Sequence, residues 1–164
     1  MGTGKTASGQ ELSARLGWKF IDLDALIEAG QQKKISEIFA QQGEVFFRNL
    51  EKEALKQAAS GDHQVISCGG GIVIDQENIS LMKQSGLLVC LWAEPEVILD
   101  RTKATAQRPL LNVDDPLGKI KELLEKRKQY YLQADMTIDT STLNVEQVAQ
   151  GLERMLRDTN PKVL

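Results

Sequence analysis

Gly2-Thr3-Gly4-Lys5-Thr6, running straight into a helical pattern over Lys5 to Leu16, is the stretch on which the fold turns. It is the back half of the pattern G-x-x-x-x-G-K-[ST]. A glycine-rich turn lets successive backbone N–H groups converge on an anion at a helix N-terminus, where the macrodipole favours negative charge. On this reading Lys5 reaches the β- and γ-phosphates of a nucleotide and the Thr6 hydroxyl ligates Mg2+. The alternative is a flexible polar start in which Gly-Lys-Thr is a coincidence. The first glycine of the full pattern would stand two residues ahead of Met1, and the strand that feeds such a loop would precede it. That strand is central in phosphate-loop folds and buries about four or five large apolar side chains, at roughly 2 kcal/mol each. The expectation is therefore that Met1 is internal to the natural reading frame or that the chain is a fragment, and that a chain starting at Met1 is marginally stable.

Outward from the loop, helical and extended pieces alternate. Gly17 closes the first helix as a C′ glycine, and Trp18 to Leu23 reads as a strand. Asp24 to Ala29 reads as a short helix, Ser36 as the N-cap of a second, and Glu44 to Ala59 as a longer one. Gln64 to Cys68 is a β-rich run stopped by Gly69, Gly70 and Gly71. Asp75 to Gln84 is helical, and Leu87 to Trp92 is an apolar run of the kind found in a strand covered on both faces. Pro95 opens a helix to about Thr102, Pro116 opens another to about Ala134, Met136 to Asp139 is a last strand, and Val145 to Arg157 a last helix. Short strands separated by helices imply right-handed βαβ crossovers: an α/β chain with a parallel sheet and helices on both faces, three layers in all.

The 164 residues fit one domain, taken as 1–164. Hydrophobic residues at 41% and charged residues at 26% exclude a disordered or fibrous chain. A net charge of -3, with no concentration of basic residues, argues against a nucleic-acid binder. No apolar run approaches the roughly 18 residues that span a bilayer, and no signal-peptide core is present, so a membrane role is excluded and the cytoplasm is expected. Cys68 and Cys90 lack metal-ligand spacing and read as small, reduced core residues.

Several constellations carry chemistry. Asp22 and Asp24, at i and i+2 where a strand ends, can face the C-terminal edge of the sheet, where ligands bind in open α/β folds. There a carboxylate can orient a hydroxyl or hold the water shell of Mg2+. The alternative is a helix cap beside a solvated strand end. Glu44, Arg48 and Glu51 share a helix face and, as an isolated pattern, read as an exposed salt-bridge ladder. Three consecutive glycines, Gly69 to Gly71, offer no packing and suggest that something approaches the backbone closely, although a plain loop has the same composition. Arg101 stands near a helix end, and Arg108 lies in a stretch without clean periodicity that reads as a mobile flap. Arg127, between Lys126 and Lys128, equally suits a solvated basic face.

Read together and in order, Gly-Thr-Gly-Lys-Thr, Phe20-Ile21-Asp22-Leu23-Asp24 with Ile27-Glu28, Gly43-Glu44-x-x-Phe47-Arg48-x-x-Glu51, the glycine triplet, Arg108-Pro109-Leu110-Leu111, and Arg127 followed by Tyr131 and Ala134-Asp135 resemble the shikimate kinase family across essentially the whole chain. The resemblance implies a fold of the nucleoside-monophosphate-kinase-like type lacking its usual first central strand, and a lid over about 102–113. It also implies a shikimate-binding helical region over about 24–60. The implied activity is transfer of the γ-phosphate of ATP to the 3-hydroxyl of shikimate, with Mg2+ as cofactor, by a monomer. Under it Asp24 binds and orients that hydroxyl, Arg48 and Arg127 grip the carboxylate, and the Gly69-Gly70-Gly71 backbone packs on the ring. Gly2, Thr3, Gly4, Lys5, Thr6 and Ala7 hold the nucleotide, Arg101 lies over adenine, Arg108 reaches the transferring phosphate, and Thr6 and Asp22 serve the metal, Asp22 through water. Lys5, Asp24 and Arg108 are the implied catalytic set. Two other readings are a related small-metabolite kinase of the gluconate type and a truncated, catalytically impaired chain of the same family.

Overall fold

The computed structural model describes residues 2–103 and 113–159. Gly4, in the left-handed region at φ 87°, caps helix α1 (Lys5–Leu16), which ends on Gly17 at φ 66°. A side chain at either position would meet the steric penalty of that backbone region, so glycine sets both ends of the helix. Strand β1 (Lys19–Asp22) follows, and its last residue caps helix α2 (Leu23–Gln31): the Asp22 side chain accepts from the N–H groups of Asp24 and Ala25. The two helices expected around Ser36 and over Glu44 to Ala59 form one span, α3 (Ile35–Ala59), broken at Gly43 with φ 77° and ψ 176°. Lys34, not Ser36, precedes its first turn, and its N–H donates to the Glu37 carboxylate at 2.8 Å. Ser36 cannot act as cap because the helix has already begun.

Strand β2 (Gln64–Ser67) runs parallel to β1 with Ile21 opposite Ile66 and Phe20 opposite Val65. Because side chains alternate across a strand, this register sorts the two faces. Ile21 and Ile66 pack into a core with Leu23, Ile27, Phe47, Leu55, Ile72 and Ile79. On the other face α1 lies so close that a Cβ on Gly9 would stand 2.8 Å from the Phe20 ring and 3.5 Å from Val65. Helices therefore cover both faces of the pair, giving the expected three layers. A 3-10 turn (Ile72–Ile74) and helix α4 (Gln76–Ser85) lead to strand β3 (Val89–Trp92), helix α5 (Pro95–Lys103), helix α6 (Pro116–Tyr131), strand β4 (Met136–Asp139) and helix α7 (Val145–Thr159).

Two expectations are corrected. Among the described residues the strands form two parallel pairs, β1–β2 and β3–β4, and not one continuous sheet. β3, expected to be covered on both faces, is only half-buried along its length. The reason is shared: no described segment pairs with the remaining edges of β2 and β3, so both apolar strands keep part of their surface accessible. The two pairs accordingly carry separate cores, the second built on Ala93, Ile98 and Ile120.

Thr140, at the end of β4 and 1% exposed, helps to join the halves. Its hydroxyl lies 2.9 Å from the Trp92 carbonyl and 3.2 Å from the Thr3 carbonyl, and accepts from Arg101 Nη1 at 3.1 Å. The phosphate loop is thus tied to the C-terminal end of the β3–β4 pair. Thr140→Val keeps the shape and removes these bonds. It should cost about 1–3 kcal/mol, read as a fall in Tm of roughly 2–4 °C per kcal/mol; an unchanged melting curve would exclude this tether.

Candidate active site

The loop and the acidic strand end meet directly. The Thr6 hydroxyl, on the first turn of α1, donates to Asp22 Oδ2 at 2.9 Å, while Asp22 Oδ1 caps α2. One carboxylate thus caps α2 and joins the acidic strand end to the first turn of the phosphate-loop helix.

Asp22 and Ser67 are partners in register, so the chain leaves β1 and β2 at the same edge of the sheet. Cys68, the next residue after β2, senses what gathers there. Burial pushes its thiol up to about 12, Lys5 pulls it down, and Glu51, Asp24 and Asp22 push it up again. Lys5, Asp22, Asp24 and Glu51 thus all lie near enough to the end of β2 to act on this thiol. Both cysteines are free, and Cys68 stays protonated, as expected of an inert core thiol.

The glycine triplet forms the floor of this region. A Cβ on Gly69 would lie 2.7 Å from Glu51 Oε1 and 3.3 Å from Asp24 Oδ1. A Cβ on Gly71 would lie 2.5 Å from Arg48 Nη1. The backbone is bare because carboxylates and a guanidinium press against it, so the plain-loop reading fails. From α6 the Tyr131 hydroxyl donates to the Gly70 carbonyl at 2.9 Å. Burial raises the Tyr131 phenol, and Arg127, hydrogen-bonded to it, acts in the opposite direction. Arg127 is half-buried between exposed Lys126 and Lys128, so it turns inward from an otherwise solvated basic face.

The ladder of Glu44, Arg48 and Glu51 is corrected in one respect: Glu51 is 2% exposed. Its carboxylate pairs with Arg48 Nη1, while Arg48 Nη2 and Nε reach Glu44 Oε1 at 2.9 and 3.2 Å. Burial raises the Glu51 carboxyl; Arg48 pulls it down, Asp24 pushes it up and Arg127 lowers it. Helical spacing showed that these three residues share a face, but not that the face turns toward Gly69. Thr140 was also missed, since a lone threonine after a strand carries no signal of its own.

Arg101 reaches the Thr140 carbonyl with Nη2 at 2.6 Å, on the β4 side of the loop and apart from Arg48 and Glu51. Arg108 and most of the expected lid lie outside the described residues. Among the described residues no cluster of three or more His, Cys, Asp or Glu side chains is placed to hold a metal. Thr6 and Asp22 offer two hard oxygens, which suits Mg2+ carried mainly by phosphate oxygens and water rather than by an all-protein cage.

A parallel α/β fold with a phosphate loop at a helix N-terminus, and a pocket of carboxylates and arginines at the same edge, is the plan of a small-molecule kinase. A family model described as shikimate kinase matches residues 1–157. Shikimate kinases of Thermodesulfovibrio yellowstonii and Caldanaerobacter subterraneus subsp. tengcongensis are 45% and 44% identical, over 93% and 94% of this chain and 88% and 90% of theirs. The structure of shikimate kinase from Acinetobacter baumannii in complex with shikimate superposes with a TM-score of 0.94 at 35% identity, covering 99% of this chain and 91% of that one. That of Bacteroides thetaiotaomicron shikimate kinase gives 0.88 at 34% identity, covering 96% and 94%. The chain belongs to the shikimate kinase family. It is an ATP-dependent kinase that phosphorylates shikimate, a step of aromatic amino-acid biosynthesis.

Proposed function

We propose that Asp24, Arg48, Arg127 and the Gly69-Gly70-Gly71 backbone hold shikimate at the edge of the β1–β2 pair, with its 3-hydroxyl on Asp24 and its carboxylate on the two arginines. The Gly2 to Ala7 loop holds the triphosphate, and Lys5 sits on the phosphoryl group in transfer. The observation that carries this reading is the packing of Glu51, Asp24 and Arg48 against the bare Gly69 to Gly71 backbone, at the sheet edge where Thr6 meets Asp22.

The chemistry follows from the placement. Phosphoryl transfer through a loose transition state asks chiefly for in-line positioning and for positive charge around the moving group. Asp24 accepts the hydroxyl's hydrogen bond and aims its oxygen, and in a loose transition state the proton passes to it late, as the new P–O bond forms. Lys5 and the α1 N-terminus neutralise the β- and γ-oxygens. Thr6 and Asp22 would hold Mg2+, Asp22 through water, and the ion when bound would offset the negative charge of the phosphates. Arg101, anchored to Thr140, is assigned to the adenine and Arg108 to the transferring phosphate.

ADP release should require Mg2+, ATP and shikimate together; equal release without shikimate would refute the assignment. Arg48→Ala should raise the KM for shikimate about ten-fold or more, the loss of a charge-assisted bidentate contact, and leave the KM for ATP within about two-fold. Equal effects on both substrates would show that Arg48 is not a carboxylate clamp.

A further inference from the structure

We infer that Glu44 is a built-in competitor for the substrate carboxylate, occupying the docking edge of Arg48 until shikimate displaces it. This rests on the assignment of Arg48 to the shikimate carboxylate. Arg48 has two uses for its guanidinium. Nη1 is committed to Glu51, whose side chain is 3% exposed. The opposite edge, formed by Nε and Nη2, is the one that offers two parallel N–H donors to the two oxygens of a carboxylate. That edge is taken by Glu44, whose side chain is 62% exposed, and by one oxygen only: Oε1 serves both donors, at 3.2 and 2.9 Å.

A single oxygen shared between two donors is a weaker arrangement than the two-oxygen fork, so a substrate carboxylate arriving on this edge makes the better contact. Of the two resident carboxylates, the exposed one yields. An exposed ion pair contributes little, and the released Glu44 regains its water, whereas freeing Glu51 would strand a buried charge. The backbone lets Glu44 leave: α3 is interrupted at Gly43, immediately before it. Arg48 itself stays in place, with its Cζ 5.4 Å from the centre of the buried Phe47 ring and its Nη1 on Glu51. Glu44 thus sets the apparent affinity for shikimate from outside the pocket floor, lowering it in exchange for an occupied Arg48 in the empty enzyme.

The test is steady-state kinetics and calorimetric shikimate binding with the wild-type chain, Glu44→Gln and Glu44→Asp. Glu44→Gln removes the charge; Glu44→Asp keeps it but is one methylene too short for both donors. Both variants should bind shikimate about two- to five-fold more tightly, with KM falling in step, while kcat, KM for ATP and Tm stay near wild type. The methyl ester of shikimate, which has no carboxylate charge, should gain nothing. A raised shikimate KM in either variant would show that Glu44 orients Arg48 for the substrate, and an unchanged one that the two never compete; each overturns the inference but not the assignment of Arg48. A wild-type chain that neither binds nor turns over shikimate overturns both.

Discussion

Asp24→Ala is expected to lower kcat by about three orders of magnitude, within the 10²- to 10⁴-fold range of a positioned acid–base group, with a folded protein and an almost unchanged Tm. Asp24 is half-buried at the start of α2. In the first turn of α2 its charge favours the helix by about 0.3–1 kcal/mol through the macrodipole, a small share of the total stability, so the fold should survive its loss. Turnover should respond strongly, because on the proposed assignment the Asp24 carboxylate, next to Gly69, aims the hydroxyl. Asp24→Asn separates positioning from proton acceptance: the amide oxygen still accepts a hydrogen bond but takes no proton. If aiming dominates, Asn retains about ten-fold more activity than Ala. Coupled measurement of ADP release gives both values, and wild-type kcat in either variant removes Asp24 from the site.

Gly69→Ala should be nearly as damaging for a different reason. The new Cβ would stand 2.7 Å from Glu51 Oε1 and 3.3 Å from Asp24 Oδ1. Glu51 has little room to retreat, being buried and paired with Arg48. One methyl group therefore displaces Asp24 and, through Glu51, Arg48, the two side chains proposed to hold the hydroxyl and the carboxylate. The expected result is a ten-fold or greater rise in the KM for shikimate, with ATP affinity preserved. A fall in Tm should accompany it, since overpacking costs about 1–3 kcal/mol. Kinetics at saturating ATP and a thermal melt check the two parts. An unchanged shikimate KM would mean that this backbone is not the floor of the pocket.

The phosphate loop was legible because its physics is local. Glycines at positive φ, a lysine and a hydroxyl at a helix start need no distant partner to define an anion site. Asp22 and Asp24 were legible for a similar reason, since the end of a strand and the start of a helix are both written in the sequence there. Glu51 was not: the same i, i+3, i+4 spacing describes an exposed ladder and a buried clamp. The chain segment that decides between them, Gly69 to Gly71, lies some twenty residues further on. Arg127 was ambiguous on the same ground, because neighbouring lysines suggest solvent, while Tyr131, one turn further along α6, is held to the Gly70 carbonyl by a contact made across the fold.

What the sequence by itself determined was the alternation of helices and strands, the loop at the first helix and the set of charged residues belonging to one family. Helix periodicity, turn glycines and motif order depend on neighbours along the chain. Only the tertiary structure decided that the strands lie in two separate pairs, that Glu51 is buried while Glu44 is not, and that Thr140 fastens the loop to the end of β4. Burial and hydrogen-bond partnership are set by residues far away in sequence, and no local pattern encodes the distance across which they meet.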